Sequence, residues 1–485
     1  MERPELINPS VCLKILNENE LDQVYEAAIT VLEKTGFKMT HKDAVALCQK
    51  SGCKIEGDRI RVPREVIEQC IETAPKGFTV YDRLGNPALD LSGRNSYYGC
   101  STGSPHTRDY ETGEIRPTTY RDLEIGAHLS DALPNIDWVM PFGTTQDTPQ
   151  DASFLYDFEA CVKNTTMPVM FLSESVKDSF YIQSMAAACV GGKDALREKP
   201  FLMAYPEPIT PLFYPDEVVS RSLLAADWGL PQCPGTSQLM GATSPVTLAG
   251  GVVLWLSEAL MSLVVLQLYK PGSPTFLSGN FGTFDMKTSV SAVASPEVSM
   301  CLAAQAQMGQ RLGLPTWGLA GASDSMIVDG QAGAESAFGI LAQGLAGLNL
   351  IHDVGYLGAG MVCSPEMLVM GDEICGMTRH FLKGITINAE TLATEVIDKV
   401  GPGGNFIPEV HTFRHFRKET WFPTIMDRSH LHNWVSKGKP DINHRVREKI
   451  NHLMANHKPV PLGDHEISEI ERIRSEGEKA LMKDK

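Results

Sequence analysis

Seven aromatic residues lie in or just after short apolar segments that resemble buried strands. Ring faces attract a cation that has no N–H to donate, such as a quaternary ammonium, and a carboxylate such as Glu207 or Asp324 would add to that attraction. The alternative interpretation is that these rings only cap a hydrophobic core. The aromatic residues are Tyr97, Tyr98, Phe142, Tyr205, Phe281, Phe284 and Tyr356.

Other chemistries have weaker support. His411, His415 and Glu419 would share one face of a helix, but the basic residues between them would repel a cation, and no His-Glu-x-x-His motif is present. We therefore predict no metal site. Cys100 has no neighbouring His or helix start that would activate its thiol, so we interpret it as a buried, inert cysteine. The glycine-rich segment 401–406 lacks the Lys and Ser/Thr of a phosphate-binding loop.

The segments that position these residues alternate between strand-like and helix-like patterns. Eight strands separated by helices over this length predict a (β/α)8 TIM barrel, whose active site lies at the carboxyl ends of the strands. A doubly wound open sheet is the competitor, but its Gly-x-Gly-x-x-Gly turn is missing. The predicted strands are residues 96–99, 136–140, 169–172, 201–205, 236–240, 275–278, 316–319 and 349–352.

Regions of a different pattern flank the predicted barrel. Residues 1–92 alternate helical segments with two hairpins, which predicts an α+β accessory region. Residues 93–384 form the predicted barrel. Residues 385–485 are predicted to be a mostly helical extension that ends in a charged amphipathic helix.

Composition excludes several classes of protein. The 485 residues carry 43 Lys+Arg against 59 Asp+Glu, a net charge of −16, which argues against a nucleic-acid partner. Eleven scattered cysteines without a Cys-x-x-Cys pair, together with a start that lacks a signal-peptide pattern, predict a cytoplasmic protein. Residues 248–268 are apolar enough for a membrane span, but Glu258 at their middle favours a buried helix.

Several separated motifs, in the same order along the chain, resemble the trimethylamine methyltransferase (MttB-type) family. The likeness extends from about residue 20 to 480. The founding members of that family carry pyrrolysine, whereas this sequence has only the twenty standard residues. It is therefore similar to the pyrrolysine-lacking branch, of which glycine betaine:corrinoid methyltransferase is the best-known type. The motifs are Gly99-Cys100 with segment 107–114, segments 131–137, 241–250 and 323–332, and segment 400–404 with His411.

The resemblance implies methyl transfer from a small quaternary amine, most simply glycine betaine, to Co(I) of a corrinoid (cobalamin) carried by a separate protein. Carnitine, proline betaine and γ-butyrobetaine are alternative donors. A barrel that binds quaternary amines without turnover and a zinc-dependent barrel methyltransferase or hydrolase are further alternatives. The resemblance implies no cofactor held tightly by this chain, and the sequence leaves open whether the chain forms a homo-oligomer.

The carboxylate of a betaine needs a hydrogen-bond donor. We predict that His352, at the end of the eighth strand, donates, with Asn280 or the backbone of residues 279–282 as helpers. Asp324 either faces the ammonium or orients His352. No acid, base or nucleophile is assigned, and His352 and Asp324 are predicted to position the methyl group. The predicted substrate-binding residues are Tyr97, Tyr98, Tyr205, Glu207, Asn280, Phe281, Phe284, His352 and Tyr356.

Overall fold

Eight short parallel strands form a closed barrel in the computed structural model of the chain, which describes residues 10–100 and 103–482. The side chains of these strands are almost entirely buried, as expected where both faces of a parallel sheet are covered. The predicted barrel fold is confirmed. The barrel strands are Tyr97–Cys100, residues 138–139, Val169–Phe171, Leu202–Ala204, Thr236–Met240, Leu277–Asp285, Thr316–Leu319 and Leu350–Val354.

Pairing between the eighth and first strands closes the barrel. Leu350 pairs with Tyr97 and Ile351 with Tyr98, both in parallel register. The second strand is reduced to two bridges, from residue 138 to Gly99 and from residue 139 to Val169. Gly99 is required at this contact, because a Cβ atom there would lie only 2.3 Å from the Trp138 ring.

Eight main helices surround the barrel and follow its strands in order. The helix Gly330–Ala346 begins where the Asp329 side chain accepts a hydrogen bond from the Ala332 N–H. The helix Pro365–Leu382 begins with Ser364 as its cap and proline at its first position. The helices are Tyr120–Ala132, Ser153–Asn164, Val176–Val190, Asp216–Trp228, Leu248–Tyr269, Pro296–Leu312, Gly330–Ala346 and Pro365–Leu382, with a short addition at Lys193–Glu198.

The amino-terminal region packs on the outside of the long helix Leu248–Tyr269. That helix is long and apolar enough to cross a membrane, yet 78% of its most apolar window is buried. Its neighbours include the helices Glu18–Thr30 and Arg64–Thr73. It is therefore a core helix of this fold. The other elements of the region are the helix Lys42–Lys50, the strands Phe37–Met39, Lys54–Glu56 and Arg59–Arg61, and the hairpin Thr79–Tyr81 with Pro87–Asp90.

Short strands beyond the carboxyl ends of the barrel strands form its mouth. Val290–Ala292 folds back on the extended sixth strand as an antiparallel hairpin. A separate four-stranded sheet combines segments that follow the first and eighth barrel strands. Its strands are His106–Arg108, Ile115–Pro117, Tyr356–Leu357 and Val362–Cys363.

The carboxyl-terminal region contains two helices that pack on the barrel and a segment that does not. Ile442–Asn456 packs on Pro365–Leu382, and Asp464–Leu481 packs on Val176–Val190. Along the sequence, residues 383–424 lie between the last barrel helix and these two helices, and none of them is fully buried. The remaining helices are Ala389–Leu392, Thr394–Val400, Val410–Glu419 and Leu431–Ser436. Residues 1–9 and 483–485, at the outer limits of the predicted terminal regions, lie outside the described residues.

A largely buried ion pair ties the last barrel helix to the start of the second strand, because Arg379 contacts the Asp137 carboxylate. We expect Arg379→Met to lower the free energy of unfolding by about 3–5 kcal/mol, since it leaves a buried carboxylate without its countercharge. Urea denaturation measures this change. Arg472→Met, which breaks only exposed pairs, should cost less than about 1 kcal/mol. Equal effects of the two substitutions would contradict the interpretation.

Candidate active site

A cavity of about 380 Å³ lies at the carboxyl ends of the fourth to eighth strands. This volume falls within the range of about 300–1,000 Å³ that small-molecule sites occupy. The exposed residues Gly103 and Ser237 belong to its lining, so the cavity opens to the surface. The lining comprises Gly103, Leu172, Tyr205, Glu207, Ser237, Gln238, Leu239, Asn280, Phe281, Gly282, Ser291, Val293, Leu319, His352, Asp353, Tyr356, Ala359 and Gly360.

The structure brings six of the residues predicted from the sequence together around this cavity. Two aromatic rings, one carboxylate, one amide and one imidazole face the cavity, whereas the ring of Phe281, which follows Asn280 on a regular strand, points to Trp255 in the helical layer, with 6.4 Å between ring centres. Four other predicted residues, namely Tyr97, Tyr98, Phe284 and Asp324, do not line it. The six are Tyr205, Glu207, Asn280, Phe281, His352 and Tyr356.

Tyr97 and Tyr98 lie away from the cavity for a reason of strand geometry. Successive side chains of a strand point to opposite faces, so two consecutive tyrosines cannot both face one cavity. The Tyr97 hydroxyl accepts a hydrogen bond from the Asp90 N–H, toward the amino end of the strand. Tyr98 points outward into the helical layer, where the Arg379 guanidinium lies 5.3 Å from the centre of its ring.

Phe284 and Asp324 belong to the wall and rim of the mouth. Phe284 lies on the hairpin beyond the cavity, opposite Ser291. The Asp324 carboxylate accepts hydrogen bonds from the backbone N–H groups of Val293, at 2.9 Å, and Ala294, at 3.4 Å. Asp324 is not among the lining residues of the cavity, and its carboxylate anchors the hairpin whose residues Ser291 and Val293 line it.

His352 is fixed on three sides. Its ring stacks on Trp317 with 4.1 Å between ring centres and an angle of 9° between the planes. Its Nδ1 lies 2.6 Å from Oδ1 of Asp353, and its Nε2 lies 3.1 Å from Oδ1 of Asn280. Nε2 is therefore engaged by the Asn280 oxygen, whereas Nδ1 lies against Asp353 without the geometry of a hydrogen bond.

Asn280 keeps a donor available because of this contact. Since its Oδ1 faces Nε2 of His352, its Nδ2 is the end of the amide left for another acceptor. No described residue accepts a hydrogen bond from this Nδ2. Within the described lining, the Asn280 amide thus offers an N–H to the cavity, whereas His352 was the donor predicted from the sequence.

Asp353 reaches His352 only because the eighth strand is irregular. Its φ angle is +79°, in the left-handed region that non-glycine residues rarely adopt, and the pairing with the first strand shifts register between Ile351 and Val354. Alternation along the strand is interrupted, so that His352 and Asp353 both line the cavity. Asp353 was not among the predicted site residues, although Asp353 directly follows the predicted strand 349–352.

Glu207 supplies a carboxylate beside the rings. Its Oε1 accepts a hydrogen bond of 2.7 Å from the Ser237 hydroxyl. Burial raises the pKa of Glu207 above its ordinary value, and hydrogen bonds from Ser237 and Tyr205 oppose that rise in part. The centre of the Tyr205 ring lies 4.8 Å from that of the Trp317 ring, on which His352 also stacks. Trp317 therefore supports both residues.

Gln238 belongs to the cavity lining, but its side chain points to the helix Leu248–Tyr269. Its Nε2 donates to Oε2 of Glu258 at 2.8 Å, and its Oε1 accepts from the Ser244 hydroxyl at 3.1 Å. Glu258 also accepts from the Thr236 hydroxyl, which accounts for the one carboxylate in an otherwise apolar helix. Ser237, between Thr236 and Gln238, points to the cavity instead, where its hydroxyl donates to Glu207.

The residues considered for a metal site or a reactive thiol have other surroundings in the described part of the chain. Within residues 10–100 and 103–482, no group of three or more His, Cys, Asp or Glu side chains is placed to hold a metal ion. His411 and His415 instead contact the backbone and the carboxylate of Glu390. Burial raises the pKa of the Cys100 thiol to about 11, which keeps it protonated at neutral pH.

Comparison with known proteins decides the family. The family model for trimethylamine methyltransferase (MTTB) matches residues 1–473. The chain belongs to this family. A barrel with a cavity at the carboxyl ends of its strands is the fold that the family resemblance implied, and the chain is an enzyme, a methyltransferase.

The relatives of this family member carry two kinds of name. The glycine betaine methyltransferase of Desulfitobacterium hafniense (strain Y51) is 31% identical over 457 residues, which cover 93% of this chain and 94% of the relative. The trimethylamine methyltransferase MttB of Desulfitobacterium hafniense (strain DSM 10664 / DCB-2) is 30% identical over 95% of this chain and 93% of the relative. MttB of Methanosarcina barkeri (strain Fusaro / DSM 804) is 27% identical over 97% of this chain and 96% of the relative.

A solved structure supports the fold of this methyltransferase. The Methanosarcina barkeri monomethylamine methyltransferase (MtmB) superimposes with a TM-score of 0.55, covering 98% of this chain and 90% of that chain. Sequence identity is only 11%, so this likeness concerns the fold alone.

The anchoring role of Asp324 is testable. Asp324→Ala removes the acceptor of two backbone N–H groups, and we expect faster hydrogen exchange in residues 286–295, because bonds to a charged acceptor contribute about 1.5–3 kcal/mol. Mass spectrometry of deuterium uptake measures this change. Asp227→Ala, which removes an exposed carboxylate far from the hairpin, should leave the same peptides unchanged. An unchanged hairpin in Asp324→Ala would contradict the assignment.

Proposed function

We propose that this methyltransferase moves a methyl group from glycine betaine to Co(I) of a corrinoid carried by a separate protein. The observation that carries the proposal is the cavity itself, whose lining combines aromatic rings and a carboxylate with an amide donor. These are the two recognition elements that a betaine requires. The glycine betaine methyltransferase among the relatives adds support.

The trimethylammonium end fits against the aromatic rings of the cavity. Tyr205 and Tyr356 present rings, and the Glu207 carboxylate supplies the countercharge. A quaternary nitrogen has no N–H, so attraction to ring faces and to a negative charge is what holds it. The cavity opening then leaves one N–CH3 group directed outward.

The carboxylate end fits the Asn280 amide. Nδ2 of Asn280 has no acceptor among the described residues, while His352 holds the other end of this amide in place. His352 thus acts as a positioning residue in this proposal. A substrate such as trimethylamine, which has no carboxylate, would leave the donor without a partner, and this favours a betaine.

Methyl transfer from a quaternary amine requires no acid. The electron pair of Co(I) forms a bond to the methyl carbon as the C–N bond breaks, and the pair from that bond stays on nitrogen, giving neutral dimethylglycine nitrogen. No proton is needed at any atom, which agrees with a site where we assign no acid or base. The barrel contributes orientation and exclusion of water.

The rim around the cavity fits an apolar, flat partner face. Exposed apolar side chains follow the fifth to eighth strands, and Met286 and Val246 both flank Gly241. Met326 packs against Gly358 on the opposite side of the mouth. Such an apolar rim is typical of a docking surface, and we assign it to the corrinoid protein. The rim residues are Val246, Met286, Met326, Ile327 and Met361.

We also place this reaction in the cytoplasm. All eleven cysteines of the chain are free thiols, and Co(I) is a reduced species that requires a reducing compartment.

The direct test incubates the pure chain with chemically reduced cobalamin and a methyl donor. We expect glycine betaine to yield methylcobalamin absorbance and one equivalent of dimethylglycine. Carnitine, proline betaine, γ-butyrobetaine and trimethylamine are run in parallel. A faster reaction with one of these identifies another donor, and tight betaine binding in calorimetry without turnover with any donor would indicate a binding protein instead of this enzyme.

The carboxylate donor is tested by Asn280→Asp, which keeps the shape of the side chain but replaces the N–H donor by a negative oxygen. We expect the KM for glycine betaine to rise by about 10- to 100-fold, as for the loss of a hydrogen bond to a charged group. Tetramethylammonium, which has no carboxylate, is the matched control, and its KM as a methyl donor should be the same in the variant and the wild type. A parallel loss for both donors would argue against this role.

The role of Glu207 predicts a dependence on pH. Its pKa is raised by burial, so its negative charge is present above that pKa and is lost as the pH falls through it. The affinity for glycine betaine should therefore fall at acidic pH. In Glu207→Gln we expect roughly tenfold weaker binding of glycine betaine at neutral pH, equal to about 1.4 kcal/mol. The step by which the affinity falls at acidic pH should be absent from this variant. Calorimetric titration over a pH series measures both effects, and a step that persists in the variant would exclude Glu207 as its source.

A further inference from the structure

Cys48 and Cys53 lie together where the helix Lys42–Lys50 of the amino-terminal region ends. The chain leaves this helix through a Schellman motif, whose outer hydrogen bond runs from the Cys53 N–H to the Cys48 carbonyl at 3.0 Å. The inner bond runs from the Gly52 N–H to the Gln49 carbonyl at 3.1 Å, and Gly52 has the left-handed φ angle of +96° that the motif requires. Residues joined by the outer bond of this motif also bring their side chains into contact, and here both are cysteines.

The two thiols form a hydrogen bond with each other. The Cys48 thiol donates to the Cys53 sulfur, and this bond lowers the pKa of Cys53, although burial opposes the change. The same contact, together with burial, raises the pKa of Cys48. The thiolate is the reactive form of cysteine. Cys53 is therefore the reactive member of the pair, and Cys48 is a protonated thiol in contact with it.

The pair lies directly below an exposed turn. Gly52 and Lys54 on either side of Cys53 are exposed, and a Cβ atom at Gly52 would meet no other atom within 4 Å. Cys53 itself is 6% exposed, whereas Cys48 is completely buried. A molecule as small as hydrogen peroxide therefore reaches Cys53 first.

A third thiol, that of Cys70, belongs to the same apolar cluster but has another partner. Its Sγ donates to the Val264 carbonyl at 3.9 Å, on the helix Leu248–Tyr269. Burial raises the pKa of Cys70 to about 12, so that its thiol stays protonated at neutral pH. The contacts of this cluster thus distinguish one pair of thiols, Cys48 with Cys53, from the third.

We propose that Cys48 and Cys53 are a redox modification site, at which hydrogen peroxide converts the two thiols into a disulfide that thiol reductants reverse. The Cys53 thiolate attacks one peroxide oxygen, the O–O bond breaks, and the hydroxide that leaves takes up a proton to become water. The Cys48 sulfur then loses its proton and attacks the sulfenic acid formed on Cys53, so that the S–O bond breaks and a second water leaves. The two sulfurs lose two electrons, which reduce one peroxide to two waters.

The disulfide preserves the packing of the amino-terminal region. Cys48, Cys53 and Cys70 belong to the apolar cluster through which this region packs on the helix Leu248–Tyr269. Oxidation of one thiol beyond the sulfenic acid gives an irreversible, charged sulfinic acid, which is costly inside an apolar cluster. A second thiol in contact stops the oxidation at a neutral disulfide. This role does not depend on which methyl donor the enzyme accepts.

The test treats the full-length protein with hydrogen peroxide, blocks the remaining thiols with iodoacetamide in denaturant and digests the chain with trypsin. Cleavage after Lys50 separates the two cysteines into the peptides 43–50 and 51–54. We expect mass spectrometry to show these two peptides joined, with a mass two hydrogen atoms below their sum. Treatment with dithiothreitol before the digestion should remove the joined species.

Two variants distinguish the members of the cluster. In Cys48→Ser the joined peptide should be lost completely, and sulfinic acid should accumulate at Cys53, because no second thiol intercepts the sulfenic acid. Cys70→Ser is the matched control, since it also replaces a buried thiol of the cluster, and it should keep the joined peptide.

A peroxide-treated wild type without the joined peptide, or with Cys53 joined instead to the peptide 65–76 that contains Cys70, would overturn the proposal. Labelling of the native wild type with iodoacetamide is a second measurement, which requires no variant to fold. Cys53 should be labelled before Cys48, and peroxide should prevent this labelling until dithiothreitol is added. Labelling of Cys53 that peroxide leaves unchanged would also overturn the proposal.

Discussion

The bulge at Asp353 is the constraint on which the site depends. In a regular strand His352 and Asp353 would point to opposite sides of the sheet, and the imidazole would lose its contact with the carboxylate. The positive φ angle of Asp353 brings both side chains to the cavity. With one nitrogen against Asp353 and its face on Trp317, the ring presents its other nitrogen to Asn280. A single backbone irregularity thus determines which end of the Asn280 amide faces the cavity.

The barrel itself was predictable because its signal is local. Each strand is a short apolar or β-rich run between helical segments, and each predicted strand has its counterpart in the structure, although the second one, centred on Trp138, is reduced to two bridges. The general position of the site followed from the same reasoning, since the carboxyl ends of the strands are read directly from the sequence order. Tyr205, Glu207 and Asn280 were found in this way.

The details of the site depended on orientation, which the sequence pattern did not resolve. Tyr97 and Tyr98 were both assigned to the cavity, yet strand alternation places one toward the amino end and the other in the helical layer. Asp324 has the right residue type and position in the sequence, but its carboxylate is used by the backbone of a hairpin. Asp353 was missed because a bulge, which the sequence pattern does not show, decides the direction of its side chain.

The rim of the mouth has a chemical consequence of its own. Three of its five apolar residues are the exposed methionines Met286, Met326 and Met361. Flexible thioethers adapt to a partner surface better than branched side chains do. Oxidants convert them to polar sulfoxides, a change that reductases can reverse. Exposure to oxygen would therefore make the rim more polar under the same conditions that would oxidise Co(I) of the proposed acceptor.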